Sequence, residues 1–425
     1  MITVALLPLS SSAELDKTTA WKRIAIIDRA RPYVSASPQS PQELSMTTMS
    51  TARVEALEQN LLGTDTQLPA TLPKLLGVAT ANPPDRYSQR ELVDLLKITD
   101  PKIRGVFLNG GIEQRYLTLP PRGDDGEFRI ETQGELLEKH RNQGVRTGAD
   151  AVRRCLREIG RDLPDVRYLV AVTTTGFLTP GFSALLINEL GLDPDTARLD
   201  VVGMGCNAGL NGLSAVANWA SAHPGELALL VCSEACSAAY VFDGTMRTAV
   251  VNSLFGDGAA ALAVQAGDGG GSAAMREDRT PVLLTSSSYM IRHAVGAMRY
   301  DWDDDAGKFS FYLDKEVPYE VGAHAEIVID KLLRGSGLRR KDIAHWTVHS
   351  GGKKVIDAVK INLGLTSYDL RHTSSVMRDF GNLSSGSFLF SYQRLLAEGQ
   401  VRPGDYGVLM TMGPGSQIEA ALLRF

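Results

Sequence analysis

The chain has 425 residues, 44% of them hydrophobic, and a formal net charge of −5. That length is enough for a large core in two domains or one doubled domain, and the acidic balance lacks the basic patch that marks nucleic-acid binding. No apolar run approaches the ~18 residues needed to cross a bilayer, and the opening MITVALLPLSSS has no basic n-region of a signal peptide.

Residues 1–70 are rich in Ser, Thr, Pro and Gln, with one helical candidate at 20–31 and a linker-like run at 35–50. They are expected to form a disordered extension. Met46 and Met49 offer internal starts, which would make the first 45 residues dispensable. From Lys74 onward, strand and helix signals alternate. Strand-prone runs lie at 75–80, 167–175, 199–205, 226–234, 253–265 and 282–290, and two more close the chain around a Gly-Pro-Gly turn. Helices are expected from about Gln89 and over 150–160, 182–191, 206–222 and 317–338, while 343–365 reads as strand, turn, helix and 381–399 as loop, then helix. The acidic stretch 300–305 reads as a solvated loop and the Gly-rich run 267–281 as a connector. Such alternation argues for sheets covered by helices on both faces. Two halves are expected, at 71–266 and 280–425.

The stretch LDVVGMGCNAGLNGL places Cys206 where a strand ends and a helix begins. Backbone N–H groups at a helix start favour a thiolate over a thiol. His349 (VHSGGKK) and Asn382 (FGNLSSGS) sit at comparable junctions among small residues. A thiolate beside an imidazole is a workable covalent catalyst, and an imidazole and an amide can both donate to a developing oxyanion. Singly, each has an ordinary structural reading: a small buried hydrophobe, a histidine near glycine, a capped helix start. Their joint placement points to a site.

Other motif readings fail. GMGCNAG spaces its glycines as GxGxxxG and lacks the acidic partner of a dinucleotide fingerprint. The Cys–His–Asn order occurs in papain-like hydrolases, but Cys206 is mid-chain without their surroundings. Cys232 and Cys236 have no second metal-ligand pair, Asp301 and Asp303 to Asp305 look solvated, and the Gly-rich run has no P-loop lysine. The four cysteines, Cys155, Cys206, Cys232 and Cys236, are too few for a disulfide scaffold and fit a reducing cytoplasm.

The ordered set ATANPP, IEQRYL, GMGCNAG, LFGDGAAA, VHSGG, GNLSSGS and the terminal GPG resembles the type III polyketide synthases, the chalcone and stilbene synthase superfamily of thiolase-fold enzymes. The stretch HSGGKKVIDAVKINLGL…HTSSVMRDFGNLSSGSFLFSY is most similar to that of bacterial 3,5-dihydroxyphenylacetyl-CoA synthases. The resemblance implies an α/β fold of two similar halves in an αβαβα arrangement, and a homodimer. It implies Cys206 as nucleophile with His349 and Asn382 as catalytic partners, Phe255 and Phe311 as gatekeepers, and Gly413, Pro414 and Gly415 as the cavity floor. It also implies CoA thioesters as substrates with no separate cofactor or metal, malonyl-CoA as extender, and accessory pathway proteins as partners.

Departures from the family pattern concern the cavity. Cys236 and Ala239 stand where plant chalcone synthases often have threonine, and Thr179 takes the place of the partner-subunit methionine. The loop before LFGDG is two residues shorter than in the family. Lys102 and Arg104 match part of the basic CoA-binding cluster, whereas Gly105 and Asn109 do not. A bulky aromatic starter is therefore not expected. Malonyl units, condensed four at a time and cyclised to 3,5-dihydroxyphenylacetyl-CoA, are. Another resorcinol, pyrone or naphthalene product and a β-ketoacyl-ACP synthase III-type activity are the alternatives.

Overall fold

The computed structural model describes residues 72–267 and 280–425. The expected extension 1–70, with its helix at 20–31 and linker at 35–50, and most of the connector 267–281 lie outside the described residues.

The apolar run after Lys74 is β1 (Pro73–Ala81), followed by the short β2 (Arg86–Ser88). Ser88 and Glu91 form a reciprocal capping box that starts α1 (Gln89–Leu95). Asp100 caps α2 (Pro101–Leu108), which carries proline in its first turn, and β3 (Gln114–Tyr116) pairs back onto β2. Helix α3 (Gln133–Glu158) begins well before the expected 150–160 segment, at a Thr132–Glu135 capping box. Its first half is polar and contains glycines, which weaken the helical signal. Those glycines make room for packing, since a Cβ on Gly148 would lie 3.2 Å from Leu186.

Then come β4 (Val166–Val172), α4 (Phe182–Leu190), β5 (Ala197–Val201), α5 (Ala208–Ala222), β6 (Leu227–Glu234), α6 (Met246–Asn252) and β7 (Gly258–Ala266). After the connector the chain gives β8 (Val282–Met290), β9 (Met298–Asp303), β10 (Lys308–Leu313), α7 (Val317–Leu333), β11 (Ile343–Val348), α8 (Lys353–Leu363), α9 (Arg371–Phe380), α10 (Ser387–Glu398), β12 (Tyr406–Gly413) and β13 (Gln417–Arg424). The acidic stretch 300–305 is not a loop throughout. β9 and β10 form a hairpin, and Asp301 pairs with Arg299 at 2.8 Å and Arg247 at 3.3 Å. Helices α6 and α9 had no counterpart among the expected elements. The first is short, and the second mixes charged and hydroxyl residues with few apolar ones.

Nine strands run in the order β11-β12-β13-β8-β1-β7-β6-β4-β5, the two sections meeting where Lys74 of β1 pairs with Val282 of β8. Helices α3 and α4 cover one outer face and α7, with α8 packed on it, the other, while α5 and α10 lie between the two sections and touch strands of both. The result is the layered αβαβα arrangement. Burial explains the strand sequences: β6 and β7 are buried along their whole length and so read as continuous apolar runs, not as alternation.

The two central helices approach so closely that only glycine fits. A Cβ on Gly209 of α5 would lie 2.4 Å from the Ser385 carbonyl oxygen and 2.4 Å from the Phe388 ring. Gly209→Ala is therefore expected to destabilise the fold by about 1–3 kcal/mol through overpacking, read as a lower denaturation midpoint. An unchanged midpoint would mean that the helices can slide apart.

Candidate active site

Both central helices enter through a short 3-10 turn, Gly205–Asn207 before α5 and Ser384–Gly386 before α10, and the two turns are in contact. Gly203 and Gly205 take the left-handed backbone (φ +80° and +73°) that the reversal from β5 into Cys206 requires. The terminal GPG loop closes on this turn. A Cβ on Gly205 would lie 2.1 Å from Pro414 Cδ, and one on Gly413 would lie 2.8 Å from the Cys206 nitrogen. Cys206 is left 8% exposed.

Asn382 follows Gly381, itself at φ +73°. Its N–H donates to the Leu254 carbonyl (2.9 Å) and its carbonyl accepts from the Gly256 N–H (2.9 Å), so it bridges directly to Phe255. Its Oδ1 accepts from the Ser384 N–H at 2.8 Å and the Ser387 hydroxyl at 3.4 Å. With the oxygen so engaged, the NH₂ end is the donor presented to the Cys206 sulfur. The Ser384 hydroxyl lies 3.5 Å from the same sulfur and 2.8 Å from the Thr174 hydroxyl. Thr174 in turn donates its N–H to Glu234 (2.9 Å), a buried carboxylate that also accepts from the Thr175 and Ser385 hydroxyls. Burial raises the Glu234 pKa against those hydrogen bonds.

His349 follows β11, and its N–H donates to the Met410 carbonyl at 2.8 Å. The next residue of β12, Thr411, reaches the Asn207 carbonyl with its hydroxyl at 3.5 Å. One strand thus abuts both the histidine and the cysteine turn. The ring is buried and its Nδ1 has no partner among the described residues.

The hydrogen bonds at this turn favour a thiolate, and burial works against them. Burial pushes the Cys206 thiol up to about 12, outweighing the hydrogen bonds from Ser384, Asn382 and its own backbone N–H. Burial likewise takes His349 down to about 3. Each group by itself is neutral at pH 7.

Phe255 and Phe311 meet edge to face at 6.3 Å between centroids. Tyr240 stacks on Phe255 at 4.0 Å and touches Phe311 edge-on at 5.3 Å, and all three share a buried cluster with Cys206 and Cys236, against which Ala239 packs. A cavity of about 170 Å³ opens beside these rings, lined in part by Leu117, Cys236, Tyr240 and Phe255. Thr179, Lys102 and Arg104 do not line that cavity. Thr179 is exposed in the β4–α4 loop, Lys102 is exposed on α2, and Arg104 is half-buried with its guanidinium donating to the Ile98 carbonyl at 2.9 Å. Sequence reading missed Thr174, Glu234, Ser384 and Tyr240. An acid closing the otherwise apolar β6 was the available signal. Among the described residues no His, Cys, Asp and Glu cluster could hold a metal ion, and no helix is long and apolar enough to cross a membrane.

The chain matches the family profile "Chalcone and stilbene synthases, N-terminal domain" over residues 69–268 and the corresponding C-terminal domain over 304–425. It is 61% identical over 353 residues to a 3,5-dihydroxyphenylacetyl-CoA synthase of Streptomyces toyocaensis, covering 83% of this chain and 90% of that one. Among solved structures, PKS-I of the brown alga Ectocarpus siliculosus superposes with a TM-score of 0.75 at 26% identity, covering 83% of this chain and 98% of that one. The 1,3,6,8-tetrahydroxynaphthalene synthase of Streptomyces coelicolor A3(2), a bacterial type III polyketide synthase, gives 0.73 at 26% identity, covering 83% and 99%. Two matched domains, a shared layered fold and this degree of identity make the chain a member of the chalcone and stilbene synthase family, the type III polyketide synthases.

Proposed function

We propose that this chain condenses four malonyl-CoA units into a tetraketide and cyclises it, with loss of water, to 3,5-dihydroxyphenylacetyl-CoA. The observation that carries this reading is the 61% identity, over 83% of the chain, to the S. toyocaensis synthase of that product. Cys206 is the proposed nucleophile. Its proton passes to His349 as the sulfur attacks the thioester carbonyl, and the CoA thiol leaves with a proton. Burial opposes either charge alone, but a thiolate and an imidazolium formed together offset each other's penalty. A second malonyl-CoA then loses CO₂, and the Asn382 NH₂ and His349 donate to the enolate oxygen. The enolate carbon attacks the acyl-cysteine, releasing the thiolate for the next round.

Phe255 and Phe311 are the proposed gate between a CoA entry and the cavity, with Ala239, Gly413 and Pro414 shaping its walls. Lys102 and Arg104 are proposed to meet the CoA phosphates from α2. We propose a homodimer, supported by the loop that leaves Phe177 73% exposed beside Thr179. Four free, buried thiols fit a cytoplasmic setting.

Malonyl-CoA supplied alone should yield 3,5-dihydroxyphenylacetyl-CoA by mass spectrometry; a pyrone or tetrahydroxynaphthalene as sole product would overturn the product assignment. Cys206→Ala should abolish condensation and retain some malonyl-CoA decarboxylation, whereas Asn382→Ala should lower both by about 10²–10³-fold, the usual cost of one oxyanion donor. Unchanged CO₂ release in Asn382→Ala would remove its enolate role. In His349→Gln, iodoacetamide alkylation of Cys206 should climb with pH without a plateau up to pH 10, because the unassisted thiol is pushed up to about 12 and its thiolate fraction grows only as pH rises toward that value. The native chain should already react at neutral pH. Superimposable profiles would rule out His349 as the proton acceptor.

A further inference from the structure

Arg115, in the IEQRYL stretch, is 0% exposed; among the described residues its hydrogen-bond partners are an amide oxygen and two backbone carbonyls, none a carboxylate, and its Nη2 has none. Burial lowers its pKa to about 9, so the guanidinium remains charged at neutral pH, with Asp257 acting at longer range. A buried cation without a paired anion needs a reason. Its hydrogen bonds supply one. Nη1 donates to the carbonyls of Asn252 and Phe255, the latter at 2.6 Å, and Nε donates to Gln89 Oε1 at 3.0 Å. Gln89 Nε2 donates to the Ser253 carbonyl at 2.8 Å and the Phe107 carbonyl at 3.1 Å.

The turn that leaves α6 and runs into the proposed gate therefore hangs from two buried side chains. The carbonyl of Asn252 is held by Arg115, that of Ser253 by Gln89, that of Leu254 by the Asn382 N–H, and that of Phe255 by Arg115. No carbonyl of this reversal is left to water. The carbonyls at the end of a helix carry partial negative charge, which offsets the buried cation. On the far side, the Arg115 stem fills the space beside Gly381, where an added Cβ would lie 2.9 Å from Arg115 Cδ, and Gly381 is the hinge from which Asn382 emerges.

We propose that Arg115, braced by Gln89, is a positioning residue that sets Phe255 and Asn382 relative to Cys206. The proposal rests on the assignment of Asn382 to the enolate. The Cys206 turn is itself packed against Gly413 and Pro414, so loosening the clamp acts first on the gate and the amide.

The test compares Arg115→Met, Arg115→Lys and Gln89→Leu with the native chain. The measurements are kcat and KM for condensation, CO₂ release in the Cys206→Ala background, iodoacetamide labelling of Cys206, and Tm. Displacing a reacting group by about 1 Å costs on the order of 10²-fold. Arg115→Met should therefore lose about that factor in kcat, with KM within about twofold, and CO₂ release should fall in step. Arg115→Lys should recover part of the loss, since an ammonium keeps the charge but reaches fewer carbonyls. Cys206 should still be labelled at neutral pH, since His349 and the turn that carries the sulfur are untouched. Condensation within twofold of native in the folded Arg115→Lys and Gln89→Leu variants overturns the proposal, as does loss of Cys206 labelling in parallel with activity. Should Arg115→Met fail to fold, the other two variants decide. Asn382→Ala is the control: if it leaves CO₂ release intact, the enolate assignment falls; if it acts while the clamp variants do not, only the clamp falls.

Discussion

The structure depends on one close contact, that of Gly209 in α5 with the Ser385 carbonyl and the Phe388 ring in α10. It allows two central helices from distant parts of the chain to lie side by side between the two sections of the sheet. Their first turns then meet, and what those turns carry is the candidate site: Cys206 on one, Ser384 and the preceding Asn382 on the other. A methyl group at this position would separate the helices and, with them, the sulfur from its hydrogen-bond donors. Packing in the middle of the molecule and the geometry of the chemistry are the same constraint.

Burial is the second consequence of that arrangement. Enclosing Cys206 and His349 penalises each charge on its own, pushing the thiol pKa up and the imidazole pKa down. The same enclosure strengthens any dipole aimed at a charge that develops during reaction. The donors here are fixed in advance. The Asn382 amide is oriented by the Ser384 N–H, and Ser384 by Thr174, which leans on the buried Glu234. The polar groups around the sulfur thus form a connected set, each side chain orienting the next.

Much of this was legible in the residues. The strands showed because buried strands must be apolar, and the junctions at Cys206, His349 and Asn382 showed because small residues and sharp turns have their own composition. Helix α3 was half hidden by its polar start and its glycines, which serve contacts with α4 that no local pattern reports. The hairpin of β9 and β10 was hidden by its aspartates, of which Asp301 pairs with Arg299 and Arg247. Thr174, Glu234 and Arg115 carry no motif of their own, since their roles exist only through partners far along the chain.

The sequence by itself determined the alternation of strand and helix, the three candidate positions and the family resemblance, because those properties are local or ordered along the chain. Only the tertiary structure decided which donors reach the sulfur, that burial works against a lone thiolate, and that a buried arginine holds the turn leading into Phe255. Those outcomes depend on distance and desolvation, which arise when segments meet. Cys206 is one residue in the sequence and a chemical environment only in the fold.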